Sequence, residues 1–249
     1  MTQAPRNASV ALVGAGDYIG TAIAKRFAAE GYLVVAGRRN ADKLQPLVAA
    51  IEADGGRCIG RPLDARKEED ITAFMAAAEA AAPVEVCIFN PGANVNFPIL
   101  ETTERVFRKV WEMACYGGFL TGREAARVMV PRGRGTILFT GATASLRGGK
   151  GYAAFASAKA GLRAVAQSMA RELGPQGIHV AHLVIDAGVD TAFVQERIKA
   201  RGGAEALKSL PPDTLMNPTS VANAYWALHS QSRDGWTFEL DLRPYAETW

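Results

Sequence analysis

The residues of this sequence best suited to proton chemistry lie in the segment GYAAFASAKAG, Gly151 to Gly161. A tyrosine four residues before Lys159 would share a helical face with it, and its phenol would be a general acid for a carbonyl oxygen. The chain has Phe155 at that position. Tyr152 carries a hydroxyl about one helical turn earlier, and it is either a catalytic hydroxyl or a packing residue at the helix start.

A glycine-rich turn, VGAGDYIG, follows the first apolar run of the chain. Gly14, Gly16 and Gly20 allow a tight turn that brings backbone N–H groups and a helix N-terminus close to a pyrophosphate. Tyr18 and Ile19 lie inside this turn, and we expect the Tyr18 ring to face a cleft wall while its backbone N–H serves the phosphate. The turn predicts a dinucleotide-binding site.

The second apolar run ends in AGRRN, about 20 residues further on, where an NAD site would have an acid for the ribose hydroxyls. Arg38 stands in the place of that acid, with Arg39 beside it. Because paired guanidiniums bind a 2′-phosphate by charge-assisted hydrogen bonds, this pair favours NADP(H) over NAD. The alternative is a solvated arginine pair that follows a strand.

Short β-branched runs alternate with Ala-rich stretches of helical period, as in βαβ units. We therefore predict an α/β fold, a single domain over residues 1–249 with a doubly wound parallel sheet of about seven strands and six helices on both faces. The predicted strands are SVALVG, YLVVAG, RCIGRP, EVCIFN, GTILFTG, GIHVAHLVI and WTFELDL, and the predicted helices span 19–30, 41–54, 67–82, 101–130, 152–173 and 218–229. The least regular region, 186–217, is predicted to form a substrate lid.

Composition excludes several classes of function. The 28 Lys and Arg residues nearly balance 25 Asp and Glu residues, so neither nucleic acid nor an anionic membrane is expected as a partner. Cys58, Cys87 and Cys115 are odd in number and scattered, which indicates a reducing compartment. With no apolar run long enough to span a bilayer, we expect a cytoplasmic protein. The three histidines do not assemble into a metal site.

The chain resembles the short-chain dehydrogenase/reductase family over nearly all its length, which implies a Rossmann-like fold and a nicotinamide dinucleotide cofactor. In that family an Asp after strand three holds the adenine edge and an Asn-containing segment follows strand four. Asp64 with Ala65 in RPLDA, Asn90 and Gly92 in FNPGAN, and Lys159 match these positions. The resemblance also implies that Lys159 holds the cofactor ribose, and that the protein is a homotetramer or homodimer.

The catalytic positions of the family are replaced in this chain. Where the family has Ser, Tyr and a helix-four Asn, this sequence has Ala142, Phe155 and Ala114. The Pro-Gly that usually follows strand six is also absent, which puts Asp186 near where a nicotinamide carboxamide would be held. Asp186 is expected either to contact the cofactor, to act as a buried acid, or simply to cap a loop.

Two functions remain open from the sequence. The first is an NADP(H)-dependent oxidoreductase that acts on a small carbonyl or alcohol substrate with an atypical proton donor. The second is a non-redox protein of the same fold: a cofactor-binding sensor, a catalytically silent oligomer partner, or an enzyme of another reaction class. The retained cofactor end supports the first, and the loss of three catalytic groups supports the second.

Overall fold

A computed structural model describes residues 2–246 of the chain. Its centre is one parallel sheet of seven strands in the order β3-β2-β1-β4-β5-β6-β7, which confirms the predicted fold class. The strands are β1 (Ser9–Val13), β2 (Leu33–Arg38), β3 (Arg57–Pro62), β4 (Val84–Phe89), β5 (Gly135–Thr140), β6 (Ile178–Ile185) and β7 (Glu239–Leu242). Since β1 pairs with both β2 and β4, the direction of winding reverses at β1, and a ligand crevice is expected beyond its carboxyl end.

Eight α-helices pack on the two faces of the sheet in the described residues, two more than the sequence predicts. They are α1 (Ile19–Ala29), α2 (Gln45–Ala53), α3 (Glu68–Ala81), α4 (Glu104–Trp111), α5 (Gly117–Met129), α6 (Ala153–Leu173), α7 (Ala192–Lys208) and α8 (Pro218–His229). The predicted helix 101–130 is in fact α4 and α5, joined by a π-helical turn over Glu112–Tyr116. Helix α4 begins at Glu104, later than predicted, because the Thr103 hydroxyl caps it by accepting a hydrogen bond from the Val106 N–H.

The sequence predicts no helix within 186–217, its least regular region, but α7 occupies most of it. The Thr191 hydroxyl caps this helix. No α7 residue is fully buried, so the α7 sequence shows no strong apolar period. Gly203 interrupts it at a φ of +77°, a conformation that suits glycine. An isolated β-bridge between Val189 and Met216 joins the two ends of the 186–217 segment beside the end of β6.

The hydrophobic core lies in two layers, one on each face of the sheet. Ile23 and Phe27 of α1 pack with Val221 and Tyr225 of α8 on one face. Residues of α3, α5 and α6 cover the other face. Strands β1 and β6 are buried along their whole length, which is why they are read from the sequence as continuous apolar runs. No helix within residues 2–246 is long and apolar enough to cross a bilayer.

Candidate active site

A cavity of about 780 Å³ opens at the carboxyl ends of β1, β2 and β4. This volume lies within the range of small-molecule sites. Its wall contains seven of the predicted cofactor residues, Gly14, Gly16, Arg38, Arg39, Ala65, Asn90 and Gly92. Lys43, Arg66 and Lys109 also line the wall, although the sequence had not singled them out. The crevice therefore forms where the sheet topology requires, and one end of it is rich in cations.

The glycines of the β1–α1 turn have different roles. Gly14 has a φ of +87°, and a Cβ there would lie 2.9 Å from the Pro91 nitrogen. A Cβ on Gly20 would lie 2.7 Å from the Ala15 Cα, so Gly20 allows α1 to approach the strand. Gly16 has nothing within 4 Å of an added Cβ and faces open space. Gly16 is thus the glycine that leaves room for a ligand.

Tyr18 and Ile19 are not part of the cavity wall. The Tyr18 side chain is 41% exposed, and Ile19 packs against the core beneath α1. Because α1 begins at Ile19, the N–H groups of its first turn have no acceptor within the helix. Any contribution of these two residues to cofactor binding falls to their backbone, and it stays a prediction.

Asn90 and Lys159 tie together the loops that follow β1, β4 and β5. The Asn90 amide donates to the Gly14 carbonyl at 3.0 Å and accepts from the Thr140 hydroxyl at 3.0 Å. Lys159 Nζ donates to the carbonyls of Thr140 at 2.8 Å and Pro91 at 3.1 Å. Lys159 is 2% exposed, and its burial lowers its pKa to about 8. Both side chains therefore fix the floor of the crevice.

The three positions that the family resemblance assigns to catalytic groups belong to one apolar cluster, which we call the apolar wall. Ala114 and Phe155 are buried in a cluster that also contains Val110, and Ala142 packs against it. Lys159 Nζ lies 6.0 Å from the centroid of the Phe155 ring, where it faces aromatic carbon instead of a phenol. None of these three side chains can donate a proton.

Tyr152 is the residue that immediately precedes α6, and its ring lies 6.5 Å from the Phe155 ring between centroids. Its hydroxyl accepts a hydrogen bond of 2.7 Å from Arg197 Nη2 on α7. The Arg197 guanidinium also lies 5.6 Å from the centroid of the Phe193 ring. No sequence pattern points to Arg197, because its contact with Tyr152 depends on the position of α7.

Asp186 is 1% exposed and stands at the end of β6 among cationic groups. Its carboxylate accepts a hydrogen bond from the Thr143 hydroxyl and lies 3.3 Å from Arg147 and 3.5 Å from Arg243. This carboxylate is committed to an ion-pair network, which fits the structural alternative given for it. The predicted cofactor contact of Asp186 stays a prediction that would involve its backbone.

Two arginines at the cationic end of the crevice are held by carboxylates. Arg38 Nη1 lies 2.5 Å from Asp17 Oδ1. Arg66 donates to both oxygens of Asp64, at 2.9 Å from Nε and 2.5 Å from Nη2, and these hydrogen bonds hold the pKa of Asp64 below its usual value. Asp64 is not in the cavity wall, whereas Arg66 is. The adenine contact predicted for Asp64 would therefore compete with Arg66.

No group of three His, Cys, Asp or Glu residues within 2–246 could hold a metal ion. The three cysteines are free and buried.

Comparisons with known proteins agree with this geometry. The model of the family described as short chain dehydrogenase matches residues 8–202. The solved structure of a short-chain dehydrogenase from Rhodopseudomonas palustris is 61% identical, with a TM-score of 0.83, and the match covers 97% of this chain and 100% of that chain. The short-chain reductase protein NovJ of Streptomyces niveus is 31% identical over 86% of this chain and 84% of its own length.

A further solved structure is that of an alcohol dehydrogenase from the archaeon Thermococcus sibiricus complexed with 5-hydroxy-NADP. It is 26% identical, with a TM-score of 0.82, and the match covers 97% of this chain and 98% of that one.

Proposed function

Since the chain belongs to the short-chain dehydrogenase family, we propose that it is an NADP(H)-dependent oxidoreductase that acts on a small carbonyl or alcohol substrate. The observation that carries this proposal is the 780 Å³ crevice, whose wall includes Arg38 and Arg39 and also Pro91, the carbonyl of which accepts a hydrogen bond from Lys159. We further propose that Tyr152, which packs against the apolar wall and whose hydroxyl accepts a hydrogen bond from Arg197, is the proton donor.

The residues of the crevice fit a phosphorylated dinucleotide. Gly16 leaves open space beside the N-terminus of α1, where a pyrophosphate would be stabilised. Arg39 and Lys43 offer positive charge at the opposite end of the wall. The complex of the Thermococcus sibiricus enzyme with 5-hydroxy-NADP supports the same choice of cofactor. When bound, NADPH would supply the hydride for reduction of a carbonyl carbon.

Lys159 would orient the cofactor in this proposal. Two of its three ammonium protons go to the carbonyls of Thr140 and Pro91, which leaves one for a ribose hydroxyl. The Phe155 wall would exclude water from the reacting carbon and select substrates with an apolar substituent. These roles need no hydroxyl at position 155.

Tyr152 would protonate the substrate oxygen and take the proton back in the reverse direction. Arg197 donates to the Tyr152 oxygen, so its positive charge would stabilise the phenolate that remains after proton transfer. Because Arg197 belongs to α7, this proton transfer would depend on the position of the segment 186–217, for which we propose the role of a substrate lid.

We also propose that the protein works in the cytoplasm as a homotetramer or homodimer. Three free buried thiols are compatible with a reducing compartment.

The apolar wall supports a second candidate function. Ala114, Ala142 and Phe155 pack in one cluster, so none of the three positions that the resemblance assigns to the catalytic Asn, Ser and Tyr has a polar side-chain atom. A non-redox protein that binds the dinucleotide as a sensor, or a catalytically silent partner in an oligomer, would have this arrangement. So would an enzyme of another reaction class.

Turnover measurements on the Tyr152→Phe variant test the proposed proton donor. NADPH consumption would be followed over a panel of aldehydes and ketones, with Tyr245→Phe as the control because Tyr245 is 80% exposed. We expect kcat to fall about 10²- to 10⁴-fold in Tyr152→Phe and to be unchanged in the control. Arg197→Gln, which removes the positive charge beside the Tyr152 oxygen, should lower kcat more than it changes KM, which a merely structural role would not do.

Full activity of Tyr152→Phe would rule out Tyr152 as the donor. If wild-type protein binds NADPH but consumes none over the panel, the second candidate function gains. The double variant Phe155→Tyr, Ala142→Ser then shows whether only the proton-handling groups were missing, because it restores both hydroxyls beside Lys159.

A further inference from the structure

Asp17 stands in the β1–α1 turn between Gly16 and the N-terminal residue of α1. Its side chain is 66% exposed, and its carboxylate lies 2.5 Å from the guanidinium of Arg38, which is 20% exposed. Arg38 is part of the crevice wall and is one of the two arginines that the sequence assigns to a 2′-phosphate. In the structure this arginine already has an anionic partner.

The remaining cations at this end of the crevice differ from Arg38. Arg66 is held by Asp64 through two hydrogen bonds from its side chain. Arg39 and Lys43 line the same wall, and neither forms an ion pair within residues 2–246. An anion that enters the crevice therefore meets Arg39 and Lys43, which form no ion pair in the described residues, and two arginines, Arg38 and Arg66, that it must take from carboxylates.

We propose that Asp17 is a specificity-determining residue of the dinucleotide site, because it competes with the 2′-phosphate of NADP(H) for Arg38. Arg39 and Lys43 hold the phosphate directly, and Arg38 joins them only when its pair with Asp17 opens. This inference rests on the proposed function, since it presumes that the crevice binds an adenosine dinucleotide. A ligand without a 2′-phosphate gains nothing from opening the pair.

The size of the effect follows from the exposure of the pair. An ion pair of which one member is largely in water contributes little free energy, which corresponds to about a 2- to 5-fold change in affinity. Asp17 therefore reduces the preference for a 2′-phosphate without abolishing it. A carboxylate next to a helix N-terminus also repels any phosphate nearby, so the measured quantity must be a ratio between two ligands.

Calorimetric titration of the full chain with 2′,5′-ADP and with 5′-AMP tests the proposal without any turnover. Both ligands carry a 5′-phosphate, so the repulsion between Asp17 and that phosphate is the same for each. The ratio of the two affinities therefore reports the 2′-phosphate alone. Asp17→Asn keeps the size of the side chain and removes its charge. Asp234→Asn is the matched control, since it makes the same charge change on an exposed loop that precedes β7.

We expect Asp17→Asn to raise the ratio about 2- to 5-fold and Asp234→Asn to leave it unchanged. In the Arg38→Met background, Asp17→Asn should have no effect on the ratio. Arg39→Met and Lys43→Met should each lower it about 10-fold, as expected for the loss of a charge-assisted contact. Thermal unfolding of each variant without ligand shows whether the fold is retained.

An unchanged or lower ratio in Asp17→Asn would overturn the proposal, and so would an equal gain in the Arg38→Met background. Either result leaves the NADP(H) assignment intact as long as wild-type protein prefers 2′,5′-ADP. If wild-type protein shows no such preference, the cofactor assignment itself is wrong, and the inference about Asp17 is wrong with it.

Discussion

Lys159 should make the stability of this protein rise with pH in the alkaline range. Burial lowers the pKa of Lys159 to about 8, from 10.5 in an unfolded chain. Below pH 8 the ammonium is charged in both states, and the folded state bears the full cost of its burial. Between pH 8 and 10.5 the unfolded chain still holds a proton that the folded chain has released, so the free energy of unfolding increases with pH.

The expected magnitude comes from the size of this pKa difference. Between pH 7 and pH 10, the free energy of unfolding of wild-type protein should rise by about 2 kcal/mol relative to that of Lys159→Met. Absolute stabilities are not compared, because Lys159→Met also loses the hydrogen bonds to Thr140 and Pro91. Burial also raises the pKa of Tyr32 and of Cys58 to about 12. Both groups are present in wild-type protein and in Lys159→Met, so their titration cancels in the difference between the two.

Urea unfolding, followed by circular dichroism at several pH values from 7 to 10, measures the difference. Lys150→Met is the control, since Lys150 is an exposed lysine in the loop before α6. If wild-type protein and Lys159→Met show the same pH dependence, Lys159 is not a desolvated cation, and its proposed role at the ribose loses its physical basis.

Three further predictions concern the glycine turn, a buried histidine and Asp186. Gly20→Ala should destabilise the protein by about 1–3 kcal/mol, because the new Cβ would lie 2.7 Å from the Ala15 Cα, whereas Gly16→Ala should keep the melting temperature and weaken only cofactor binding. Burial lowers the pKa of His182 to about 4, so as pH falls from 6.5 to 4 the unfolded chain takes up a proton that the folded chain does not bind. Over that range, the free energy of unfolding of wild-type protein in urea should fall by about 2 kcal/mol more than that of His182→Gln. Asp186→Asn should lower the free energy of unfolding by about 2 kcal/mol, because it removes the buried negative charge that Arg147 and Arg243 face; an unchanged melting temperature would contradict this.

The sequence predicted the sheet because its strands are buried on both faces. Strands such as β1 and β6 are buried along their whole length and consist mostly of apolar residues, and the Gly14 turn marks the first crossover to a helix. Helix α7 was missed because none of its residues is fully buried and Gly203 interrupts it. Its polar composition resembles that of a loop, and only tertiary position reveals it as a helix.

The site was predicted in part. The sequence shows that Ala142 and Phe155 lack hydroxyl groups, but only the structure shows that they pack together in one wall. The pairing of Asp64 with Arg66 could have been predicted from the sequence, because an Asp side chain in a turn often bonds to a residue two positions further on. The pairing of Asp17 with Arg38 joins the β1–α1 turn to the last residue of β2, so no spacing rule predicts it.

A calorimetric titration of wild-type protein with NADPH and then with NADH tests the central claim most directly. The crevice with Arg39 and Lys43 at one end predicts that NADPH binds and that NADH binds at least about 10-fold more weakly, because the 2′-phosphate contacts are charge-assisted. Binding of NADH as tight as that of NADPH would contradict the assignment of the cationic end. No heat with either cofactor at millimolar concentration would contradict the proposed function as a whole.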